Sequence, residues 1–188
     1  MNPALVLVGP ESIRGVARQR SGLPDERIVG LDAPTLGNPA AAPGEFVAAG
    51  FSFRAVPAAH EGLDRDAEGR LICLGFVVRT GGHAIYHAGD TIRYEGMEEA
   101  LGSAGIDVAL LPINGRAPER RVAGNLWGRE AAELAREIGA RIAVPCHYEL
   151  FGFNTATPDE FVARCRDLGQ ACRVLRAGER WDAGTGAS

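Results

Sequence analysis

Residues 106–147 read IDVALLPINGRAPERRVAGNLWGREAAELAREIGARIAVPCH, and the order of patterns within this stretch decides the fold class. Ile106 to Leu111 is a short, nearly all-apolar run with the length of a buried strand, stopped by Pro112, which has no N–H to offer a sheet. Trp127, Ala131, Leu134, Ala135 and Ile138 then recur at the spacing of one helix face, and Gly139 ends the pattern. Ile142 to Val144 returns to strand character. A helix whose apolar face must dock on a sheet, set between buried strands, belongs to an α/β layered domain and not to a helical bundle.

The same alternation continues outward on both sides. Phe51 to Val56 alternates apolar and polar positions and predicts a strand. Leu71 to Arg79 and Ala84 to His87 predict a hairpin joined at Thr80-Gly-Gly82. Near the start, Ala4 to Val8 predicts a buried strand, Glu11 to Arg20 a helix ended by Gly22, and Asp32 to Gly44 a loop rich in Pro, Ala and Gly. Toward the end, Thr157-Pro-Asp-Glu160 predicts a capping box with Pro158 at the first helical position, opening a helix to Leu168, and Cys172 to Leu175 predicts a last strand. No repeat or linker divides the chain, so residues 1–181 are expected to form one domain and 182–188 a flexible tail.

Apolar residues make up 46% of the chain, enough for one real core. The formal charge is -4 although every one of the twenty basic residues is Arg, which argues against broad nucleic-acid or membrane binding. Ala4 to Val8 is too short for a leader core or a membrane span and follows no basic leader, so the expected location is the cytoplasm. Cys73, Cys146, Cys165 and Cys172 form no C-x-x-C pair and are read as reduced and mostly packed.

Three strand ends carry the chemistry. In Val56-Pro-Ala-Ala-His60-Glu61 a strand ends at Pro57 and His60 follows in a loop; in Tyr86-His-Ala-Gly-Asp90-Thr91 an apolar strand runs into a carboxylate; in Val144-Pro-Cys-His147 a buried strand ends on an imidazole. Taken singly, each has an ordinary reading as a loop histidine or an Asx turn. Together, imidazole and carboxylate donors at three strand ends are the pattern of a metal site, because rigid strands fix the donors while loops leave room for an ion. Cys146 is the rival donor, but alternation points it away from His147 and toward packing. His83, beside the Gly-Gly turn, is expected in solvent, and His87, inside a strand, as a hydrogen-bonded supporting residue.

The ordered set VPAAHE, YHAGDT, LLPINGR, GNLWGREAAELA and PCHYELFGFN resembles the metallo-β-lactamase superfamily, and within it metal-dependent hydrolases similar to bacterial ascorbate-phosphate lactonase. The likeness runs in register from Phe51 to Phe161. It implies an αββα sandwich with a binuclear metal site at one edge, zinc or manganese as the ions, His60 on one metal, Asp90 bridging both as the catalytic carboxylate, and His147 on the other. The family's H-x-H-x-D-H motif is absent, and no histidine precedes His60. The expectation is therefore the C-terminal part of such an enzyme, its sandwich incomplete at the N-terminus, with metal binding and activity weak or absent in this chain alone.

For the complete enzyme the resemblance implies metal-assisted hydrolysis of a small ester or lactone, including an anionic sugar-acid phosphate. Asn114 and Arg116 follow a buried strand toward the same edge, where Arg suits a carboxylate or phosphate; a turn at Asn114-Gly115 with a solvated Arg116 is the plain alternative. Tyr148 and Asn154 are placed beside the metal, with a packed Tyr148 bonded to backbone as the other reading, and Arg120 and Arg121 extend a local positive patch. The partner is a small-molecule substrate, with self-association left open. The rivals are a phosphodiesterase or nuclease of the same superfamily, and a non-catalytic domain that kept the scaffold.

Overall fold

The structure, a computed structural model, describes residues 2, 4–33, 45–121, 124–149 and 152–182. Its elements are β1 Leu7–Pro10, α1 Arg14–Ser21, β2 Ile28–Leu31, β3 Glu45–Ala48, β4 Phe51–Pro57, β5 Leu74–Thr80, β6 His83–His87, α2 Met97–Gly102, β7 Val108–Pro112, α3 Gly128–Glu137, β8 Ile142–Cys146 and α4 Asp159–Leu168. Strands β3 to β8 form one sheet in sequence order, and β1 pairs with β2 in a second, two-stranded parallel sheet.

Direction within the large sheet positions the site. β3 through β6 pair antiparallel, while β6, β7 and β8 are parallel. Thus β4, β6, β7 and β8 all run the same way, and their C-terminal ends open onto one edge. Loops leaving that edge are held by a rigid sheet, the arrangement α/β domains use for binding.

Two apolar layers form the core, as alternation along the strands requires. Val56, Val77, Ala84, Tyr86, Ala109 and Leu111 face α2, α3 and α4, where Leu101, Leu134, Ala135 and Phe161 are fully buried. Ala55, with Phe53 and Phe76 on the opposite face, packs against Val8, Val29 and Leu31 of the small sheet, whose outer side carries α1. The layers therefore run helix, sheet, sheet, helices, the expected αββα architecture.

Helix α3 starts where the periodicity places it. The Glu130 carboxylate accepts the Trp127 N–H at 2.9 Å, satisfying an N-terminal donor that the helix itself leaves free. The expected hairpin is present: Thr80 pairs with His83, and Gly81 and Gly82 between them both have positive φ.

Several expectations are corrected. The first strand starts at Leu7, not Ala4, and none of its residues is fully buried, because the sheet it joins is only two strands wide. Glu11–Ile13 is a 3-10 turn before α1 and not part of one helix. The capping box at residues 157–160 does not form: the Thr157 hydroxyl donates to Asp159, and Glu160 accepts the Arg129 N–H at 3.3 Å, joining α4 to the start of α3. Cys172 makes a single bridge to Ala143 in place of a strand through Leu175. Strands β2 and β3 were not read from the sequence. Residues 34–44 of the expected loop and 183–188 of the expected tail lie outside the described residues. Among the described residues, no helix is long and apolar enough to cross a membrane.

Candidate metal centre

His60, Asp90 and His147 follow β4, β6 and β8, so the parallel strand ends bring them to one edge. Asp90 lies between the two imidazoles: its Oδ2 is 3.8 Å from His60 Nε2 and its Oδ1 is 3.6 Å from His147 Nε2. Both distances exceed a hydrogen bond. They are close to the separation, about 3.4 Å, that two donors keep across a shared tetrahedral ion. The Asp90 side chain is 45% exposed, leaving the carboxylate open to solvent, whereas His147 is 22% exposed and its buried Nδ1 has no hydrogen-bond partner among the described residues. Among the described residues no three His, Cys, Asp or Glu side chains converge on one point. The donors therefore form two pairs that share one carboxylate.

The backbone that aims these groups is unusual. His147 has φ 56°, in the left-handed region that costs a side-chain-bearing residue about 1–3 kcal/mol. This turn takes the imidazole out of the β8 alternation immediately after Cys146. Before Asp90, Gly89 has φ 67°, and on the neighbouring strand a Cβ at Gly75 would lie 2.8 Å from the Ala88 carbonyl. Glycine at 75 lets the segment carrying Asp90 pass directly over β5.

Thr91 links two of the three donor segments and was not singled out from the sequence. It is fully buried; its Oγ1 accepts the Ala59 N–H at 3.0 Å and donates to the Ile92 carbonyl at 2.8 Å. The Ile92 N–H returns a bond to the Ala59 carbonyl at 2.7 Å, and the Thr91 carbonyl accepts the Leu126 N–H at 2.9 Å. The Tyr94 hydroxyl adds a 2.8 Å bond to the Pro57 carbonyl. The neighbours of His60 and Asp90 are thereby fastened together before any ligand arrives. A threonine beside the Gly-Asp pair was the only sequence signal, and nothing local marks a partner 32 residues away.

Of the other two histidines, His87 has the hydrogen-bonded supporting role expected of it, though on the surface, and His83 departs from its expected place in open solvent. His87 is exposed at the strand end, where its Nδ1 accepts the Gly89 N–H at 3.0 Å and braces the turn into Asp90. His83 is only 33% exposed and its Nδ1 lies 3.9 Å from Asp107 Oδ2. Burial first, and the Asp90 charge second, push the Cys146 thiol up to about 12, so Cys146 presents no thiolate at neutral pH.

The substrate candidates separate into two groups. Asn114 is fully buried beyond β7; its Nδ2 donates to Asn154 Oδ1 at 3.1 Å and its Oδ1 accepts from Asn125 Nδ2 at 2.9 Å. The Ile113 N–H bonds to the Cys146 carbonyl at 3.1 Å, which places this amide cluster next to the strand end bearing His147. Arg116, the other candidate from this loop, is neither free nor simply solvated: both oxygens of Glu130 hold it, at 2.6 and 2.7 Å. Burial alone would raise the Glu130 carboxyl, but Arg116 and the Trp127 N–H outweigh it and hold it below its ordinary value. The Tyr148 hydroxyl donates to the Leu175 carbonyl, the packed alternative of its two readings.

Comparison with known proteins follows the same outline. The sequence model of a family described as Beta-lactamase superfamily domain matches residues 7–148. The chain is 39% identical over 109 residues to a UPF0173 metal-dependent hydrolase of Rubrobacter xylanophilus, covering 56% of this chain and 42% of that protein. It is 35% identical over 127 residues to the corresponding protein of Opitutus terrae, covering 65% and 52% respectively. It thus spans about half the length of the curated relatives it matches. The solved structure of Igni18, a metallo hydrolase from Ignicoccus hospitalis, superposes with a TM-score of 0.68 at 25% identity, over 93% of this chain and 66% of that one.

Proposed function

The chain belongs to the beta-lactamase superfamily domain family, and from that membership we propose that it serves in a metal-dependent hydrolase, with His60, Asp90 and His147 as ligands of two divalent ions. The observation that carries this reading is the Asp90 carboxylate, with one oxygen turned to each imidazole at 3.8 and 3.6 Å. The donor set fits: two imidazoles and a carboxylate suit zinc or manganese. Each ion would take one imidazole and one carboxylate oxygen from these residues, so further donors must complete the usual four. Bound ions supply a water acidified toward neutrality and a Lewis acid for the scissile group.

The chain's own residues then set geometry. Asp90 would hold both ions through its two oxygens and orient a water between them. Thr91 and Tyr94 keep the His60 segment against the Asp90 segment. Asn114, itself buried, holds the partly exposed Asn154, the one of the two that a small substrate would meet. The substrate class is an ester or lactone of a small molecule, extending to an anionic sugar-acid phosphate; the net negative charge disfavours nucleic acid as substrate.

Calorimetric titration of the metal-free protein with zinc and with manganese, followed by hydrolysis of a panel of lactones, esters and phosphodiesters, tests this. With only two protein donors to each ion, weak but saturable binding is the expected result, weakened further by His60→Ala and by His147→Ala and abolished by Asp90→Ala. Binding indifferent to Asp90→Ala would overturn it. A wild-type chain that binds neither ion would favour a scaffold without chemistry, and turnover of phosphodiesters alone would favour the phosphodiesterase reading.

A further inference from the structure

Two arginines beside the amide cluster have opposite electrostatic situations. Arg116 is neutralised by a two-pronged pair with Glu130. Arg120 is held by neutral groups only: its Nη1 donates to the Asn114 carbonyl at 2.5 Å and to Asn154 Oδ1 at 3.3 Å, and its guanidinium carbon lies 5.8 Å from the Trp127 ring centroid. Among the described residues no carboxylate lies within ion-pair distance of it, and its Nε and Nη2 donors make no hydrogen bond.

Neutral acceptors fix the guanidinium without cancelling its charge. The ring beneath it is fixed as well, because the Trp127 ring lies against Gly115, where a Cβ would fall 2.2 Å from a ring carbon. The result is a preoriented cation, partly buried, with the Nε and Nη2 edge free. That edge is the fork that takes two oxygens of a carboxylate or phosphate in parallel. Through Asn114 and the Ile113 bond to Cys146, it sits at the same sheet edge as His147.

We infer that Arg120 is the specificity-determining residue of this site, binding a carboxylate or phosphate group of the substrate through its free Nε and Nη2 donors. This rests on the hydrolase reading for its meaning but not for its test, since the anion site needs neither the metal ions nor Asp90.

The chain has two tryptophans, so Trp181→Phe leaves Trp127 as the sole reporter, in contact with the proposed site. Metal-stripped protein in that background is titrated with inorganic phosphate and, separately, with acetate, following Trp127 fluorescence. The expected result is a saturable change, weakened about tenfold or more by Arg120→Gln as a charge-assisted pair of bonds is lost, and unaltered by Asp90→Asn. Saturation by phosphate alone assigns a phosphate-bearing substrate, and saturation by acetate as well assigns a carboxylate. Equal titrations with and without Arg120→Gln, or no saturable response to either anion, overturn the proposal. If circular dichroism shows Arg120→Gln unfolded, Arg120→Lys decides: a severalfold loss is expected because an ammonium lacks the fork, and an unchanged titration refutes the two-pronged contact. Loss of metal binding with anion binding intact would sink only the hydrolase reading.

Discussion

The Thr91 hydroxyl accepts the Ala59 N–H at 3.0 Å inside the protein, tying the segment that carries Asp90 to the one that carries His60. Thr91→Val keeps the shape but leaves that N–H buried and unpaired, which costs about 1–3 kcal/mol. Under the proposed metal role it should also weaken ion binding by roughly 10–100-fold, the usual effect of removing a group that orients a ligand. Thermal unfolding and metal calorimetry on Thr91→Val and Thr91→Ser check both parts, with Ser expected to recover most of each.

Arg116 should matter to stability more than to substrate. Its partner Glu130 has a side chain only 16% exposed and also caps α3. Arg116→Ala strands that carboxylate and should lower stability by about 1–3 kcal/mol in urea unfolding. KM should shift less than in Arg120→Gln; a larger KM effect at Arg116 would return it to the substrate site.

Gly115 has φ 67° and supports the Trp127 ring. Gly115→Ala should cost about 1–3 kcal/mol and shift Trp127 emission, since the backbone is strained and the ring must move. Gly22, with φ 66° and no atom of the described residues within 4 Å of a Cβ, is the control. Gly22→Ala should show only the left-handed cost of about 1–2 kcal/mol and no change in Trp127 emission.

Asp107 predicts a pH dependence. The Ala84 N–H, bonded at 2.8 Å, and then Arg141, at 2.9 Å, hold its carboxyl below the ordinary value. A folded value below the unfolded one, about 3.9, means stabilisation that is complete above the unfolded value and lost as pH falls through the folded one. Wild type should therefore exceed Asp107→Asn by about 1–2 kcal/mol at neutral pH, and the gap should close in acid. Urea unfolding of both across the carboxylate range measures it; a gap that widened in acid would contradict the assignment.

The sequence by itself determined the layered α/β class, the strand-helix-strand order of residues 106–147, and three candidate donors at three strand ends, because periodicity and chain-breaking residues are local properties. It could not supply the pairing of β1 with β2, whose short runs gain strand character only from each other and from the layer beneath. Nor could it show which arginine is free. Arg116 and Arg120 lie four residues apart in similar surroundings, and only the fold brings the Glu130 carboxylate to one and neutral amides to the other. The same holds for Thr91 and for the 3.6 and 3.8 Å separations around Asp90, which depend on strand direction across the sheet. Local chemistry names the donors; long-range packing decides what each one faces.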